Sequence, residues 1–247
     1  MKLNSEIDKF GHIPVYYQIA VNIKFYIQSN DIKPGEIIPS ERELCEVFDV
    51  SRMTVRQAVD LLSREGIVSR RKGKGTFVCA PKLKQPLTSL TSFTMDMRGR
   101  GLSPTSDVIS CAEIKTPDHV AERLNIKKGE PVIQLIRIRL ANGRAHAYEC
   151  SYLLYEKAKS ILNIDFAHHS LYDVLEEQCN VKMSKAQEAI EVNMCPAEIC
   201  KKLEIPVKSL AFYIERTTFD SENVPVEYVE SHYRIDQFKF YVELDLH

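Results

Sequence analysis

Ser51-Arg-Met-Thr-Val-Arg-Gln-Ala-Val-Asp60 is the stretch that decides the fold of the first part of the chain. Apolar residues in and just after it recur at the i, i+3, i+4 and i+7 positions of one helix face, which predicts an amphipathic helix. These residues are Val55, Ala58, Val59 and Leu62. Arg52, Arg56 and Gln57 lie outside this face, so the other side of the helix is polar and basic.

A second helix is predicted just upstream. Ser40-Glu-Arg-Glu43 has the spacing of a capping box, and the helix that it starts runs to about Phe48. We expect Ser51 and Gly66 to cap the start and the end of the later helix. Two short helices joined by a tight turn are typical of a helix-turn-helix. The two helices alone leave open an ordinary helical hairpin with a charged, solvent-facing side.

The next segment, Ile67-Val-Ser-Arg-Arg-Lys-Gly-Lys-Gly-Thr-Phe-Val78, predicts two strands around a basic Gly-Lys-Gly turn. A basic hairpin directly after the second helix is typical of the wing of a winged helix, which can enter the minor groove while the helix reads the major groove. Residues 50–75 contain seven Lys and Arg against two acidic residues, the positive balance that phosphate binding requires. Together these features predict a DNA-binding domain.

Four stretches of this region resemble the GntR family of bacterial transcriptional regulators. They are Pro39-Ser-Glu-Arg-Glu-Leu44, Val50-Ser-Arg-Met-Thr-Val-Arg-Gln-Ala58, Leu61-Leu-Ser-Arg-Glu-Gly66 and Lys72-Gly-Lys-Gly-Thr-Phe77. By this resemblance, three positions match the DNA-contacting positions of the family: Arg42, Arg52 and Gly73. Supporting contacts to DNA are expected from Thr54, Arg56 and Lys74.

Composition bounds the remaining possibilities. The 247 residues are enough for two modest domains, and the contents of 44% hydrophobic and 27% charged residues are those of a folded protein. The net charge of −1 hides an asymmetry, because residues 1–82 hold 13 Lys and Arg against 10 Asp and Glu. The remainder is acidic, so a basic part that binds DNA is followed by a part with another task.

Cysteine usage and hydropathy favour a cytoplasmic protein. The seven cysteines are scattered, without a C-x-x-C pair or histidines at zinc spacing, which favours free thiols in a reducing compartment. We therefore expect no metal site, no cofactor and no catalytic residues. The first thirty residues lack the apolar core of a signal peptide, and no run of 18 apolar residues predicts a membrane span.

The chain is expected to divide into a winged helix-turn-helix domain (1–78), a linker (79–88) and an effector-binding domain (89–247). Two prolines and two lysines within residues 79–86 predict a stiff, extended connector. Beyond it, helices and strands alternate, with hairpins expected around Asn142-Gly143 and Ser221-Glu-Asn223 and a last strand (238–244) closing the sheet. The second half echoes the first, which suggests an internal duplication around a shared pocket.

Arginines in a predicted strand are the main binding signal of the second domain. Arg137 and Arg139 are two residues apart, so they share one strand face with Ile133 and Leu135. Buried guanidinium groups are unfavourable unless an anion meets them, and they bind phosphate or carboxylate as a fork. The strand alone equally allows ion pairs to Glu149 or Glu227. A short helix from Leu90 adds free backbone amides, although a well-capped helix explains Thr and Ser there as well.

Further stretches resemble the effector domain of the HutC subfamily of GntR regulators. They are Leu90-Thr-Ser-Phe-Thr94, Arg137-Ile-Arg139-Leu-Ala-Asn142, Ser170-Leu-Tyr172-Asp, Arg216-Thr-Thr218 and Glu227 through Arg234. The resemblance implies an α+β protein, with a chorismate-lyase-like antiparallel sheet and flanking helices (a UTRA-type domain) after the winged helix. It also implies a phosphorylated effector, such as N-acetylglucosamine-6-phosphate or glucosamine-6-phosphate.

The same resemblance assigns roles to residues of this domain. Phosphate would meet backbone amides at Ser92, Phe93 and Thr94, the charges of Arg137 and Arg139, and the hydroxyls of Ser170 and Tyr172. Sugar hydroxyls would be held by Glu149, Glu227 and Tyr233. The expected protein is a homodimeric repressor that binds operator DNA, has no membrane partner and leaves its operator when the effector binds.

Other interpretations remain. Relatives sense other sugar phosphates, phosphonates or urocanate-like acids. A lyase on the chorismate-lyase fold is opposed by the lack of an acid–base pair beyond Glu149 and Glu227 and of a nucleophile–base motif, and turnover of a candidate metabolite would support it. An architectural DNA-binding protein without an effector predicts no thermal shift with any phosphorylated metabolite.

Overall fold

The structure is a computed structural model that describes residues 3–71 and 73–244. The chain forms two compact units, which divide between Leu83 and Lys84. Each unit has its own hydrophobic core, so each is described by itself.

The N-terminal unit is a winged helix-turn-helix. Its elements are α1 (Val15–Ser29), α2 (Glu41–Phe48), α3 (Arg52–Arg64), β1 (Val68–Arg71) and β2 (Gly75–Val78). The two strands pair as an antiparallel hairpin directly after α3, as the sequence predicts. The predicted helix-turn-helix and wing are therefore confirmed.

Local caps set the turn between α2 and α3. The Ser40 hydroxyl accepts from the Glu43 amide, and the Glu43 carboxylate accepts from the Ser40 amide at 2.8 Å, so the predicted capping box is present. Asp49 ends α2 in the left-handed region at φ 48°. Ser51 then caps α3 by accepting from the Thr54 amide at 3.3 Å. The apolar face of α3 is completely buried against α1 and α2.

The C-terminal unit is an α+β domain. Its elements are β3 (Leu83–Pro86, entering from the first unit), α4 (Phe93–Gly99), β4 (Pro104–Lys115), α5 (Asp118–Leu124), β5 (Pro131–Ala141), β6 (Arg144–Leu154), α6 (Tyr155–Ala158), α7 (Leu171–Cys179), β7 (Met183–Met194), α8 (Ala197–Lys202), β8 (Leu210–Asp220), β9 (Pro225–Arg234) and β10 (Phe238–Tyr241). Within the described residues, six strands form one antiparallel sheet, the main sheet, in the order β4-β5-β6-β9-β8-β7.

The strand order shows two similar halves. Each half runs strand, helix, strand, strand: β4-α5-β5-β6 and β7-α8-β8-β9. The last strands of the two halves, β6 and β9, pair in the middle of the main sheet. This arrangement agrees with the internal duplication expected from the sequence. The first hairpin turns through Asn142 and Gly143, both at positive φ, as the turn signal predicts.

Two expectations about the ends of this unit are revised. Within the segment expected to be a linker, Leu83–Pro86 forms a strand that pairs with β10 in a separate two-stranded sheet. The last strand is therefore not part of the main sheet, contrary to the expectation that it closes it. The reason is aromatic packing, because Phe238 and Phe240 pack against Tyr233 and Phe212 with ring centroids 4.9 and 5.0 Å apart.

The capping box makes a testable contribution to the N-terminal unit. We expect Ser40→Ala to lower the free energy of unfolding by about 1 kcal/mol, because the Glu43 amide loses its acceptor. Urea denaturation followed by far-UV circular dichroism measures the loss. The matched control is Ser63→Ala at an exposed position inside α3, which should not lower stability. Equal effects of the two substitutions would contradict the capping role.

Candidate functional sites

One face of the main sheet carries a cavity, called here the effector cavity. Every residue that the sequence analysis assigned to an effector lines it: Ser92, Phe93, Thr94, Arg137, Arg139, Glu149, Ser170, Tyr172, Glu227 and Tyr233. The cavity lies entirely within the C-terminal unit. Residues far apart in the chain therefore meet at one place.

Strand alternation places the two arginines at the base of this cavity. Ile133 and Leu135 are completely buried in the core beside α7, and the next residues on the same face of β5 are Arg137 and Arg139. These arginines are only 2% and 3% exposed. Two guanidinium groups are thus almost fully removed from water, a placement that requires anionic partners.

Glu149 on β6 is the partner that both arginines share. Arg137 Nη2 contacts Glu149 Oε1, and Arg139 Nη1 lies 3.3 Å from the same oxygen. Burial alone would raise the pKa of Glu149, but the charges of Arg137 and Arg139 lower it to about 2. Burial and Arg137 lower the pKa of Arg139 to about 10, so Arg139 is still protonated at neutral pH. Of the two ion-pair partners that the sequence left open, the arginines contact Glu149.

A bulge in the hairpin selects this partner. Ala141 pairs with Arg144 at the turn, but the register shifts between Arg139 and Leu140, so that Arg137 pairs with Glu149. Without the shift, Arg137 would face Tyr148 and Glu149 would point to the opposite side of the sheet.

One carboxylate does not satisfy two buried guanidinium groups. Within the described chain, Nε and Nη1 of Arg137 and Nε of Arg139 are buried without an acceptor. Arg139 Nη2 donates to Thr94 Oγ1 at 2.9 Å. A buried donor without a partner costs about 1–3 kcal/mol, and more when it is charged. The base of the cavity therefore has unused donors and an excess of positive charge.

Another part of the cavity lining is built around Glu227. Its Oε2 accepts from the hydroxyls of Tyr172 at 2.9 Å and Thr218 at 3.1 Å. Burial, reinforced by the nearby charge of Glu149, raises the pKa of Glu227. Burial and a neighbouring glutamate likewise raise the pKa values of Tyr172 and Tyr233, so both phenols keep their protons at neutral pH. This part of the lining offers hydrogen-bond donors and acceptors suited to hydroxyl groups.

The serines expected at the phosphate end are helix caps. Ser92 Oγ accepts from the Met95 amide at 3.1 Å and begins α4, and Ser170 Oγ accepts from the Asp173 amide at 3.4 Å and begins α7. Each hydroxyl uses an acceptor lone pair for its cap and retains its own proton as a donor. Both residues line the effector cavity in these positions.

The residues expected to contact DNA lie on the N-terminal unit. Arg42 and Arg52 are 87% and 83% exposed at their side chains, and they lie beside Glu46 and Glu41 at 3.3 and 3.5 Å. Arg56 is exposed on α3, whereas Thr54 is half-buried and bonds to Ser51 Oγ at 2.9 Å. The wing turn presents Gly73, at φ 72°, and the exposed Lys74. Lys72 lies outside the described residues.

Family models match both units. The model for bacterial regulatory proteins of the gntR family matches residues 15–78, and the UTRA domain model matches residues 99–239. The chain belongs to the gntR family. It is a transcription regulator with a DNA-binding domain followed by a UTRA domain, and the proteins it matches are regulators rather than enzymes.

Individual relatives match this gntR-family chain along almost its full length. The HTH-type transcriptional repressor NagR of Bacillus subtilis is 37% identical, covering 97% of this chain and 98% of the relative. The HTH-type transcriptional regulator GgaR of Escherichia coli K12 is 29% identical, covering 98% and 96%. The crystal structure of PhnF from Mycobacterium smegmatis is 26% identical, covers 92% of this chain and 99% of its own, and has a TM-score of 0.65.

Sequence reasoning missed an ion pair in the cavity wall of this regulator. Arg216 Nε donates to Glu188 Oε2 at 2.5 Å, and Arg216 Nη1 lies 3.4 Å from the Thr91 carbonyl oxygen. Burial would lower the pKa of Arg216, but Tyr172 and Glu188 raise it overall. In the sequence, Arg216 stands out only as part of a family motif. The signal that could have placed it in the cavity is its spacing of two residues from Thr218 on β8, because strand alternation puts both side chains on one face.

Two classes of site receive no support in the described part of this gntR-family protein. Residues 3–71 and 73–244 contain no group of three or more His, Cys, Asp or Glu placed to hold a metal ion. None of the helices described is long and apolar enough to cross a membrane.

The shared carboxylate makes a prediction about stability. At pH 7 we expect Glu149→Gln to lower the free energy of unfolding by about 3 kcal/mol, because two buried arginines lose their counter-charge. The pKa of Glu149 falls on folding from its usual 4.5 to about 2. Its contribution is therefore present above pH 4.5 and is lost as the pH falls towards 2, so the difference between variant and wild type should shrink over that range.

Urea denaturation at pH 7 and at pH 3 measures both effects. The control is Glu113→Gln, at an exposed position on β4, which should change stability little at either pH. A Glu149→Gln protein as stable as the wild type at pH 7 would refute the role assigned to this carboxylate.

Proposed function

We propose that this regulator is a cytoplasmic homodimeric repressor, released from its operator by a small phosphorylated amino sugar. The B. subtilis relative NagR, a transcriptional repressor at 37% identity, supports repression as the direction of control. The family resemblance supports N-acetylglucosamine-6-phosphate or glucosamine-6-phosphate as the effector class. Other sugar phosphates, phosphonates and urocanate-like acids are the alternatives within the same class of regulator.

The N-terminal unit supplies the DNA-binding surface of this proposal. Arg52 and Arg56 are exposed on α3, where a recognition helix reads base edges, and Arg42 lies on α2. Gly73 and Lys74 form the wing turn, which suits contact with phosphates or the minor groove. A homodimer presents two such surfaces to an inverted repeat, one half-site for each subunit.

The unsatisfied donors of the buried arginines carry the effector proposal. Phosphate oxygens accept charge-assisted hydrogen bonds, and guanidinium groups bind them as a fork. Arg137 and Arg139 have three buried N–H groups without acceptors in the described chain, and they share a single carboxylate. A phosphate placed there would satisfy these donors and balance the excess charge, with help from the backbone amides at Ser92, Phe93 and Thr94 and the hydroxyls of Ser170 and Tyr172.

The remaining assigned residues suit a sugar ring. Glu149, Glu227 and Tyr233 present buried hydrogen-bonding groups to the same cavity. Such groups recognise hydroxyls with high selectivity, because a ligand that lacks them leaves buried polar atoms unpaired. Phe93 stacks under the Arg139 guanidinium at 4.8 Å and helps to fix its orientation.

Release from DNA follows as a linkage effect. An effector can shift the regulator only if it binds the state that fits poorly on the operator more tightly than the state that fits well. The effector cavity lies wholly in the C-terminal unit and the DNA surface wholly in the N-terminal unit. Effector and operator thus have separate binding sites, as reciprocal coupling requires.

The recognition helix gives the first test of this proposal. With an operator selected from random duplex DNA, Arg52→Ala should weaken specific binding by about 1–3 kcal/mol, as expected for loss of a bidentate contact to guanine. Lys74→Ala should weaken all sequences alike and reduce the salt slope by about one unit. Gel-shift titrations at several salt concentrations separate the two. Unchanged operator affinity and preference in Arg52→Ala would show that α3 is wrongly assigned.

The phosphate clamp gives the second test. Arg137→Ala should weaken binding of N-acetylglucosamine-6-phosphate by about 2–5 kcal/mol, since a bound anion loses a charged donor. Operator affinity without effector should stay unchanged, so the variant should behave as a repressor that the sugar phosphate no longer releases. Calorimetric titration and gel-shift release measure the two properties.

Two controls sharpen this experiment. Arg123→Ala removes a half-exposed arginine on α5, outside the effector cavity, and should leave effector binding intact. Unphosphorylated N-acetylglucosamine should bind the wild type poorly. Equal affinity for the two sugars would refute the clamp, and loss of operator binding in Arg137→Ala would show that this arginine is structural.

A further inference from the structure

A second cavity adjoins the effector cavity and is called here the side cavity. It lies between residues 85–91, which form the end of β3 and the segment after it, and strand β7 at the edge of the main sheet. The two cavities share four lining residues: Gln85, Thr91, Glu188 and Arg216. The side cavity is therefore an extension of the effector cavity. None of the residues that the sequence analysis assigned to the effector lines it.

Arg216 stands at the junction of the two cavities. Its Nε is held by Glu188 and its Nη1 points to the Thr91 carbonyl oxygen, while its Nη2 has no hydrogen-bond partner within the described chain. The guanidinium group is fixed by the first two contacts. Its third nitrogen remains as a donor for a ligand atom that passes from one cavity into the other.

The order of strands in the main sheet fixes which way a bound ligand would extend from the two arginines. Arg137 and Arg139 lie on β5, and Arg216 and Glu188 lie on β8 and β7. Three strand spacings separate β5 from β8 in the main sheet, which is roughly 14 Å across. A ligand held by its phosphate at the two arginines and extending along the cavity has its opposite end directed towards Arg216 and the side cavity.

The lining of the side cavity indicates the kind of group that fits. Neutral polar side chains line it, namely Thr88, Ser89 and Ser184, and so do apolar ones, namely Leu87, Leu90 and Ile190. Arg216 and Glu188 neutralise each other, and Lys185 lies over the ring of Phe219, 5.0 Å from its centroid. A sugar ring is neutral and presents both hydroxyl groups and C–H surfaces, so it matches such a lining.

We propose that the side cavity is a second sugar subsite, so that the preferred effector is a disaccharide phosphate rather than a monosaccharide phosphate. The second ring is joined to the phosphorylated sugar at the end remote from its phosphate. This inference rests on the proposed function, because it takes the phosphate to be bound by Arg137 and Arg139. It identifies a further part of the ligand and a residue, Arg216, that contacts the link between the two rings.

Filling the side cavity tests the inference in the full-length protein. Ala186 lines the cavity from β7, and Ala186→Phe would occupy it with a ring. The matched control is Ala189→Phe on the same strand, three residues on, where alternation directs the side chain to the other face. The probes are N-acetylglucosamine-6-phosphate and the same phosphosugar carrying a β-linked second N-acetylglucosamine at C1. Calorimetric titration gives the affinities.

We expect the wild type and the Ala189→Phe control to bind the disaccharide phosphate at least about tenfold more tightly than the monosaccharide phosphate. Ala186→Phe should lose this advantage and keep its affinity for the monosaccharide phosphate. If Ala186→Phe unfolds at a lower temperature than the wild type, Ile190→Phe, on the same face of β7, gives the same test.

The outcomes separate this inference from the proposed function. A wild type that binds the monosaccharide phosphate but gains nothing from the second ring would refute the second subsite and leave the proposed function intact. Equal losses for both probes in Ala186→Phe would also refute it, because the filled space would then belong to the first subsite. A wild type that binds neither probe would overturn the proposed function and this inference together.

Discussion

The C-terminal unit depends on the sharing of one carboxylate by two buried arginines. Glu149 offsets the charges of Arg137 and Arg139 at the base of the cavity, where neither guanidinium group has access to water. The arrangement has too many donors for its single acceptor group, and the cavity forms above that excess. A site that is incomplete in this way is selective for anions, since any other occupant leaves the same donors unpaired.

The sequence predicts much of this arrangement. Helix periodicity, caps and the Gly-Lys-Gly turn are local signals, and the structure confirms the winged helix-turn-helix that they indicate. Alternation along β5 also correctly places Arg137 and Arg139 on the face of Ile133 and Leu135. These features depend on residues close in the chain, so spacing alone determines them.

What the sequence does not predict depends on register and on distant packing. The contact between Arg137 and Glu149 requires a bulge near Leu140, which leaves no mark in residue type. The pair of Arg216 with Glu188 joins residues 28 positions apart on two strands whose register only the folded sheet fixes. Strand β10 similarly pairs with β3 from the other end of the unit, because aromatic packing holds Phe238 and Phe240 on the sheet face.

The pairing of β3 with β10 has a consequence for the tether between the two units. The Cys79 amide donates a hydrogen bond to the Ile67 carbonyl oxygen at 2.8 Å, which attaches it to the N-terminal unit. Leu83 already belongs to β3. Only Ala80, Pro81 and Lys82 remain between these two attachments, so four Cα–Cα steps separate Cys79 from Leu83, a span of at most about 14 Å. The connector between the two units is therefore short, because only these three residues lie between the last hydrogen bond of the wing and the first residue of β3. Separation of β3 from β10 would free Leu83–Pro86 from its pairing and more than double the number of residues in this connector.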